Sequence, residues 1–440
     1  MAKKKKNSSD IKIRVGRRKV KAPWWVFLII LIIAAVAVGG YFVYYAMKPA
    51  TGSKSSTDSA LTSSLTSSPE PSSTYTSISG DSDPISFHFV SQNNAHTGDC
   101  TYIKAGNNDI LIDAGNKTGS AAVIEKYLED STRGSDYVSD KKLEYVVATH
   151  AHQDHIAGFV GNSSTSEAGG KDGIFYHYTI DNLLDFSYFD GAVAGKYTLV
   201  DNSLTSTSTP VTTIYKNYLA ARNYAIGNGT KWQTAGQMWK SASHTITLGK
   251  NLSMTLLYSY FYDHVKADMS GLGDFDFSDQ NDDSVCVLFT QGNKHFLFTG
   301  DSEAAGEYSL TKYNTLPEVE LFKGGHHGSY TANTDALLSV IKPKMVCICC
   351  CAGNTEYASL NSHTFPAQES INRIAPYTDR VYVTDLGSFT DSSYVEPMNG
   401  NIVVSYDAAS NESLSCSHNS LKLKETDWFK ANRTMPSAWA

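Results

Sequence analysis

Seven cysteines in 440 residues are too few, and odd in number, for a disulfide-dense scaffold. Four of them fall in the apolar run 345–351, which has the composition of a buried strand, so they read as small core residues. A zinc or redox cluster would want a second spaced pair, which is missing. Positive charge is scarce over most of the chain. Residues 1–54 hold 12 Lys and Arg against one acid, leaving 25 bases against 43 acids in the remainder, a formal charge of −18. That deficit disfavours a mainly electrostatic nucleic-acid binder, which needs a concentrated positive surface. Internal repeats are absent. A chain that is 41% hydrophobic and 18% charged is nonetheless not disordered throughout; it has apolar material for a domain of a few hundred residues.

Charge is missing altogether from residues 24–47, a run of 24 residues. As a helix this run would be roughly 36 Å long, enough to cross a bilayer. Lys3 to Lys6, Arg14, Arg17, Arg18, Lys19 and Lys21 precede it, and the positive-inside bias places that end in the cytoplasm. A cleaved signal peptide would have a shorter apolar region and a small-x-small cleavage site, whereas residues 41–45 are bulky. Residues 51–83 contain 19 Ser or Thr among 33 and few large apolar groups, too few to offset the entropy of ordering. The expected organisation is a basic cytoplasmic segment (1–23), a single transmembrane helix (24–47), a Ser/Thr-rich tether (48–83) and one extracellular domain (84–440) at the cell membrane.

Within that domain, strands are predicted at 85–90, 109–112, 143–148, 253–260, 285–290, 295–299, 319–322, 344–351 and 380–384, with a hairpin loop at 291–294. Helices are predicted at 120–128, 302–310, 335–341 and 366–374, the last with Thr364 as cap and Pro366 in its first turn. The mixture argues for a layered α/β domain. An insertion near 160–250 is rich in Tyr, Asn and Gly and includes Tyr176, Tyr178, Tyr188, Tyr215, Tyr218, Tyr224 and Trp232. Its length suggests a cover over the site whose aromatics would set specificity, by stacking on a base or caging a quaternary ammonium; an extra packed subdomain is the plainer reading.

The predicted strand 143–148 runs directly into Thr149-His150-Ala151-His152-Gln153-Asp154-His155. Alternate side chains of an extended segment point the same way, so His150 and His152 can face one metal, and a turn then lets Asp154 and His155 face another. Two later apolar runs also end in ligand-type residues: 295–299 leads to Gly300-Asp301, and 319–322 leads to Gly324-Gly325-His326-His327-Gly328-Ser329. Adjacent strands would bring these ends to one sheet edge, where glycines allow close backbone approach and an Asp carboxylate can bridge two cations.

The HxHxDH motif at His150, His152, Asp154 and His155, the TGD aspartate Asp301 and the later His326 or His327 resemble the metallo-β-lactamase fold superfamily. Further features are similar to the branch containing the extracellular metallo-hydrolase domain of competence proteins and phosphorylcholine esterase. These are Gly98-Asp99-Cys100 ahead of residues 111–115, Asn281 to Ser284 before a strand, the His-His-Gly-Ser run, and Asn354 followed by His363. The resemblance covers roughly residues 85–405 and implies a four-layer αββα sandwich with a dinuclear site at one sheet edge. By position, His150 and His152 would hold the first metal, Asp154 and His155 the second together with His326 or His327, and Asp301 would bridge. The superfamily's histidine between the first motif and the bridging aspartate has no counterpart. Asn281, Asp282 or Asp283 stands near its place, and an oxygen ligand there weakens zinc preference and leaves room for manganese.

Two such cations would acidify a shared water and stabilise charge on a phosphoryl or carbonyl oxygen, so no protein nucleophile is needed. Asp113 is expected to accept the second N–H of a ligating histidine. Ser329 and Asn354 are candidates for substrate contact, and His363 for protonating a leaving group. The expectation is a membrane-anchored metal-dependent hydrolase of phosphoester bonds, with a wall polymer or nucleotide as substrate and nucleic acid not favoured. Competing expectations are a competence-type DNA nuclease, a β-lactamase or lactonase, and a silent wall-binding protein.

Overall fold

The computed structural model describes residues 11–15, 18–22, 80–162, 171–190, 197–199, 212–241, 243–262 and 280–440. The chain divides into two units, Met1–Ser68 and Pro69–Ala440. In the first, strands Ile11–Val15 and Arg18–Ala22 pair antiparallel within the basic segment. The run 24–47, expected to span a membrane, and residues 48–79 of the expected tether lie outside the described residues. Among the described residues no helix is long and apolar enough to cross a membrane.

The second unit is α/β, built on two mixed eight-stranded sheets. The first has the order Lys231–Thr234, Thr179–Asp185, Lys142–Val147, Asn108–Ile112, Thr101–Ala105, Ile85–Phe89, Ile402–Tyr406, Glu412–Cys416. The second runs Thr245–Gly249, Leu252–Leu256, Val287–Gln291, Lys294–Phe298, Leu321–Lys323, Val346–Ala352, Val381–Leu386, Glu396–Pro397. Parallel neighbours sit in the middle of both: Asn108–Ile112 beside Lys142–Val147 in one, and Lys294–Phe298 through Val381–Leu386 in the other. Their carboxyl ends carry the ligand-type residues, the usual place for a site in a sheet of this kind.

Alternation explains why the sheets stack. Val287, Phe289, Phe296 and Phe298 of the second sheet join a core shared with the first, while Leu288 and Leu297 between them join a separate core. In the shared core Phe87 lies against Phe296 (4.7 Å), Phe298 (5.5 Å) and Phe289 (5.8 Å). The second core is closed by Leu310, Leu337, Leu338, Ile341, Ile371 and Ile374 from helices Ala304–Tyr313, Asp335–Ile341 and Gln368–Ile374. Helices Ser120–Leu128, Gln153–Val160 and Thr213–Gly227 bury Ile124, Leu128, Ile156, Phe159 and Leu219 with the first sheet. This arrangement is consistent with the expected sandwich.

Several local expectations are corrected. Helix Gln153–Val160 was not predicted, because it opens on three polar residues, Gln153, Asp154 and His155, ahead of a short apolar face. The helix expected at 366–374 starts at Gln368 with Ala367 as its N-cap; Thr364 instead donates its hydroxyl to Asn361 O at 2.7 Å. The described part of the insertion extends the first sheet through Thr179–Asp185 and Lys231–Thr234, and packs Thr213–Gly227 on Gln153–Val160. Tyr178, Tyr215 and Tyr218 are buried in the core, and the Tyr218 hydroxyl and Trp232 indole N–H donate to the buried Asp185. These rings build a packed extension of the sheet. All seven cysteines are unpaired, and the four in Val346–Ala352 are buried.

Candidate metal centre

Strand Lys142–Val147 is followed by Ala148 and then by buried Thr149 and His150. His152 then caps helix Gln153–Val160 from an extended conformation, so the first helical turn swings Asp154 and His155 back towards His150. The His150 ring centroid is 4.1 Å from that of His155 and 4.7 Å from that of His152. A carboxylate in the first turn also suits the positive end of the helix.

From the second sheet, Lys294–Phe298 delivers Asp301 and Leu321–Lys323 delivers His326 and His327. Asp301 Oδ2 lies 3.0 Å from His155 Nε2, 3.1 Å from His327 Nε2 and 3.9 Å from His326 Nε2. His327 Nε2 is 3.4 Å from Asp154 Oδ2. Ligand atoms of Asp154, His155, Asp301 and His327 therefore fall within 4.8 Å of one another, and all four residues are buried. Both histidines of the His-His pair hold left-handed backbones, φ 45° for His326 and 53° for His327. That conformation costs about 1–2 kcal/mol per residue. It is held by Asn333, whose amide accepts from Gly325 N at 2.8 Å and donates to Gly325 O at 2.9 Å. Glu307 in turn accepts from Asn333 N (2.6 Å) and Thr334 N (2.7 Å).

Behind the ligand atoms stand groups that fix the rings. Asp113 faces His155 Nδ1 at 2.7 Å and accepts from Thr149 N and Thr149 Oγ1. His327 Nδ1 faces Cys349 O at 2.9 Å and Asp99 Oδ1 at 3.2 Å. Lys323, buried, pairs with Asp99 and donates to Gly300 O at 3.0 Å beside Asp301 Oδ1 at 3.4 Å. Burial alone would push His155 and His327 down, but the carboxylates of Asp301 with Asp113, and of Asp301 with Asp99, outweigh it and hold both well above the ordinary histidine value. Burial would raise Asp301 and Asp154, yet the charges of His155 and His327 hold both below the carboxylate range. For His150, burial and the neighbouring His155 and His152 all push down, which keeps it neutral.

This donor set fits divalent metal. His150 Nε2 is buried with no hydrogen-bond partner, a costly state for an imidazole nitrogen unless a cation takes its lone pair. His155 and His327 spend Nδ1 on protein acceptors and turn Nε2 inward, the tautomer a ligating histidine needs. Carboxylates clustered away from water also need cationic compensation.

The remaining predicted residues separate. Asn281, Ser329 and His363 line a cavity of about 450 Å³ together with His152, Asp154, Asp301 and His326. Asp282 Oδ1 accepts from Glu303 N (3.2 Å) and Gly306 N (2.9 Å), capping helix Ala304–Tyr313, so Asn281 is the member of that pair facing the cavity. His326 Nδ1 is 3.0 Å from Glu303 Oε1, while His327 sits deeper. Asn354 is a loop organiser, donating to Ala95 O and accepting from Glu356 N, and does not line the cavity. Sequence reasoning missed Glu303, Glu307, Lys323 and Tyr357 and gave Asp99 no role. A lone Lys at the end of an apolar run beside the His pair was the available signal, because a buried ammonium demands carboxylate partners.

Residues 93–161 match the metallo-beta-lactamase superfamily. The matched segment runs through the histidine cluster and helix Gln153–Val160. Over 68 residues the chain is 35% identical to Recombination protein 2 of Haemophilus influenzae, a stretch amounting to 16% of this chain and 8% of that protein. Among solved structures, it is similar to CmlA, a diiron beta-hydroxylase from Streptomyces venezuelae, at 12% identity and a TM-score of 0.29, covering 61% of this chain and 44% of the other. A diphosphatase of the PhnP family matches at 12% identity and a TM-score of 0.30, covering 69% and 95%. The short form of human tRNase Z matches at 9% and 0.28, covering 72% and 99%.

Proposed function

We propose that this protein is a dinuclear metal-dependent hydrolase of phosphoester bonds, held at the outer face of a membrane by residues 24–47. The observation that carries the site is the convergence of Asp154, His155 and His327 on Asp301, with the His150 ring set against those of His155 and His152 and its Nε2 buried and unpartnered. His150 and His152 with the Asn281 oxygen would hold one cation, Asp154, His155 and His327 the other, and Asp301 both; the mixed donor set suits zinc or manganese. When bound, the pair would supply an activated water and neutralise charge on the phosphoryl group. The chain's own part is positional. Asp113 and Asp99 set the rings of His155 and His327, Lys323 fixes the Asp301 turn, and Ser329 and His363 face the cavity where substrate would lie. His363 is assigned the proton transfer to the leaving group.

The phosphoester assignment is supported by the cavity's polar lining and by the His-His-Gly-Ser run. A nucleic-acid phosphodiester is the second reading, favoured by the identity to Recombination protein 2 and opposed by the −18 charge of residues 55–440. The test is hydrolysis of bis(p-nitrophenyl) phosphate by the full chain with added zinc or manganese, a chelator arm and a His152→Ala control. Metal-dependent turnover lost in both controls is expected. Turnover that survives them, or none in folded, metal-loaded protein, overturns the proposal.

A further inference from the structure

The cavity over the metal centre has two features that the hydrolytic machinery does not use. None of the described residues lining it is a lysine or arginine, so no fixed cation waits there for a second phosphate charge. Two of its lining residues are exposed aromatics: Tyr330 is 47% and Tyr357 52% exposed. Each ring is backed on one side. Tyr357 stacks on Phe365 with centroids 5.7 Å apart and planes at 24°, and Tyr330 stacks on His363 at 4.5 Å and 26°. An offset stack leaves a flat outer face, which suits a planar partner; a cage for a quaternary ammonium needs rings turned towards one point.

Tyr357 is also tied to the chemistry. Its hydroxyl donates to Asp154 Oδ2 at 3.1 Å, which sets the ring's edge beside a ligand atom. Its loop is pinned from below: Glu356 pairs with His96 (2.8 Å) and Lys117 (3.6 Å) and accepts from Thr97 N, while Asn354 holds Ala95 O. A half-exposed aromatic on a pinned loop, hydrogen-bonded to a ligand carboxylate, is a preformed platform.

Resting on the phosphoester reading above, we infer that Tyr357 is a specificity-determining residue, and that the preferred substrate is a phosphodiester monoanion carrying a planar ring that stacks on it. The lack of Lys and Arg among the described lining residues selects against monoester dianions, and the backed ring selects for planar over saturated groups. Stacking on one exposed ring gives about tenfold in affinity.

The experiment measures binding, by calorimetry, of three non-hydrolysable monoanions to the manganese-loaded full chain: diphenylphosphinate, dicyclohexylphosphinate and dimethylphosphinate. Wild type is expected to bind the diphenyl compound about tenfold more tightly than the dicyclohexyl one. Tyr357→Phe, which loses the hydroxyl on Asp154 but keeps the ring, should retain that preference, and Tyr357→Ala should erase it; dimethylphosphinate binding, read in both variants, separates the loss of the hydroxyl from the loss of the ring. Equal affinity for flat and saturated rings, or a preference that survives Tyr357→Ala, overturns the inference while leaving the phosphoester reading standing. A preference for a choline-bearing phosphonate over the diphenyl compound overturns it in favour of a cation cage. If no phosphinate binds at all, the phosphoester reading fails and takes the inference with it.

Discussion

Glu307 gives the most direct physical test of how the His326–His327 turn is held. Its carboxylate is buried, and burial pushes its pKa up to about 7 against the hydrogen bonds from Thr334 and Asn333 and the charge of Arg373. Because the folded value lies above the unfolded one, the folded state binds the proton more tightly. The associated stability is fully present below about pH 4.5, declines as pH rises, and is gone above about pH 7. At 1.36 kcal/mol per unit, the decline is about 3 kcal/mol. Glu307→Gln abolishes this titration but provides one carbonyl oxygen for two backbone donors, at a cost of about 1–2 kcal/mol. The variant should therefore be less stable than wild type at pH 4 by about 1–2 kcal/mol and more stable by a similar amount at pH 8. Urea unfolding followed by tryptophan fluorescence across that range reads the crossing, and subtracting the two profiles cancels every other titrating group. Parallel profiles would refute the argument, since they would mean that Glu307 does not change its proton affinity on folding.

Asp113→Asn should keep the fold but lower metal affinity about 10- to 100-fold, because the amide cannot anchor His155 Nδ1–H as a carboxylate does; competition with a chromogenic chelator measures it. Lys323→Met leaves the buried Asp99 without its ammonium partner and should cost about 3–5 kcal/mol in chemical denaturation. Asp301→Asn should reduce bound metal, read by elemental analysis, and abolish hydrolysis of bis(p-nitrophenyl) phosphate; unchanged metal content would remove the bridging role. Phe87→Ala, opening space among Phe289, Phe296 and Phe298, should lower stability by about 3–5 kcal/mol with metal content unaffected.

The strands that carry the site were legible because each is an apolar run stopped by residues that cannot belong to a core. Leu143 to Ala148 gives way to histidines and His295 to Thr299 to Gly300-Asp301, and the observed strands Lys142–Val147 and Lys294–Phe298 end within two residues of those positions. Strands such as Thr101–Ala105 and Ile402–Tyr406 escaped notice because Lys104 and Ser405 interrupt runs that earn burial only through their neighbours. The insertion left two readings open, a cover over the site and a packed subdomain, because composition alone does not say whether its tyrosines are covered. In its described part Asp185 accepts the hydroxyl of Tyr218, and a satisfied hydroxyl lets a whole ring enter the core, as the plainer reading of a packed subdomain had it.

What no local pattern contained is the charge balance behind the ligands. Asp99 and Asp113 lie about two hundred residues before Asp301 and Lys323, and Lys323 reads as an ordinary strand-ending lysine; only the stacking of the two sheets makes it the partner of Asp99 as well as of Asp301. Once a buried carboxylate is present, its neighbours are constrained by charge: an ammonium, an imidazolium or a metal must follow within about 4 Å, or the carboxylate must take up a proton. Asp301 draws on the first two of these, through Lys323 on one oxygen and His155 and His327 on the other. An aspartate at the end of a strand can read from sequence as any turn residue; three cationic neighbours drawn from two different sheets are what give this one a site's geometry.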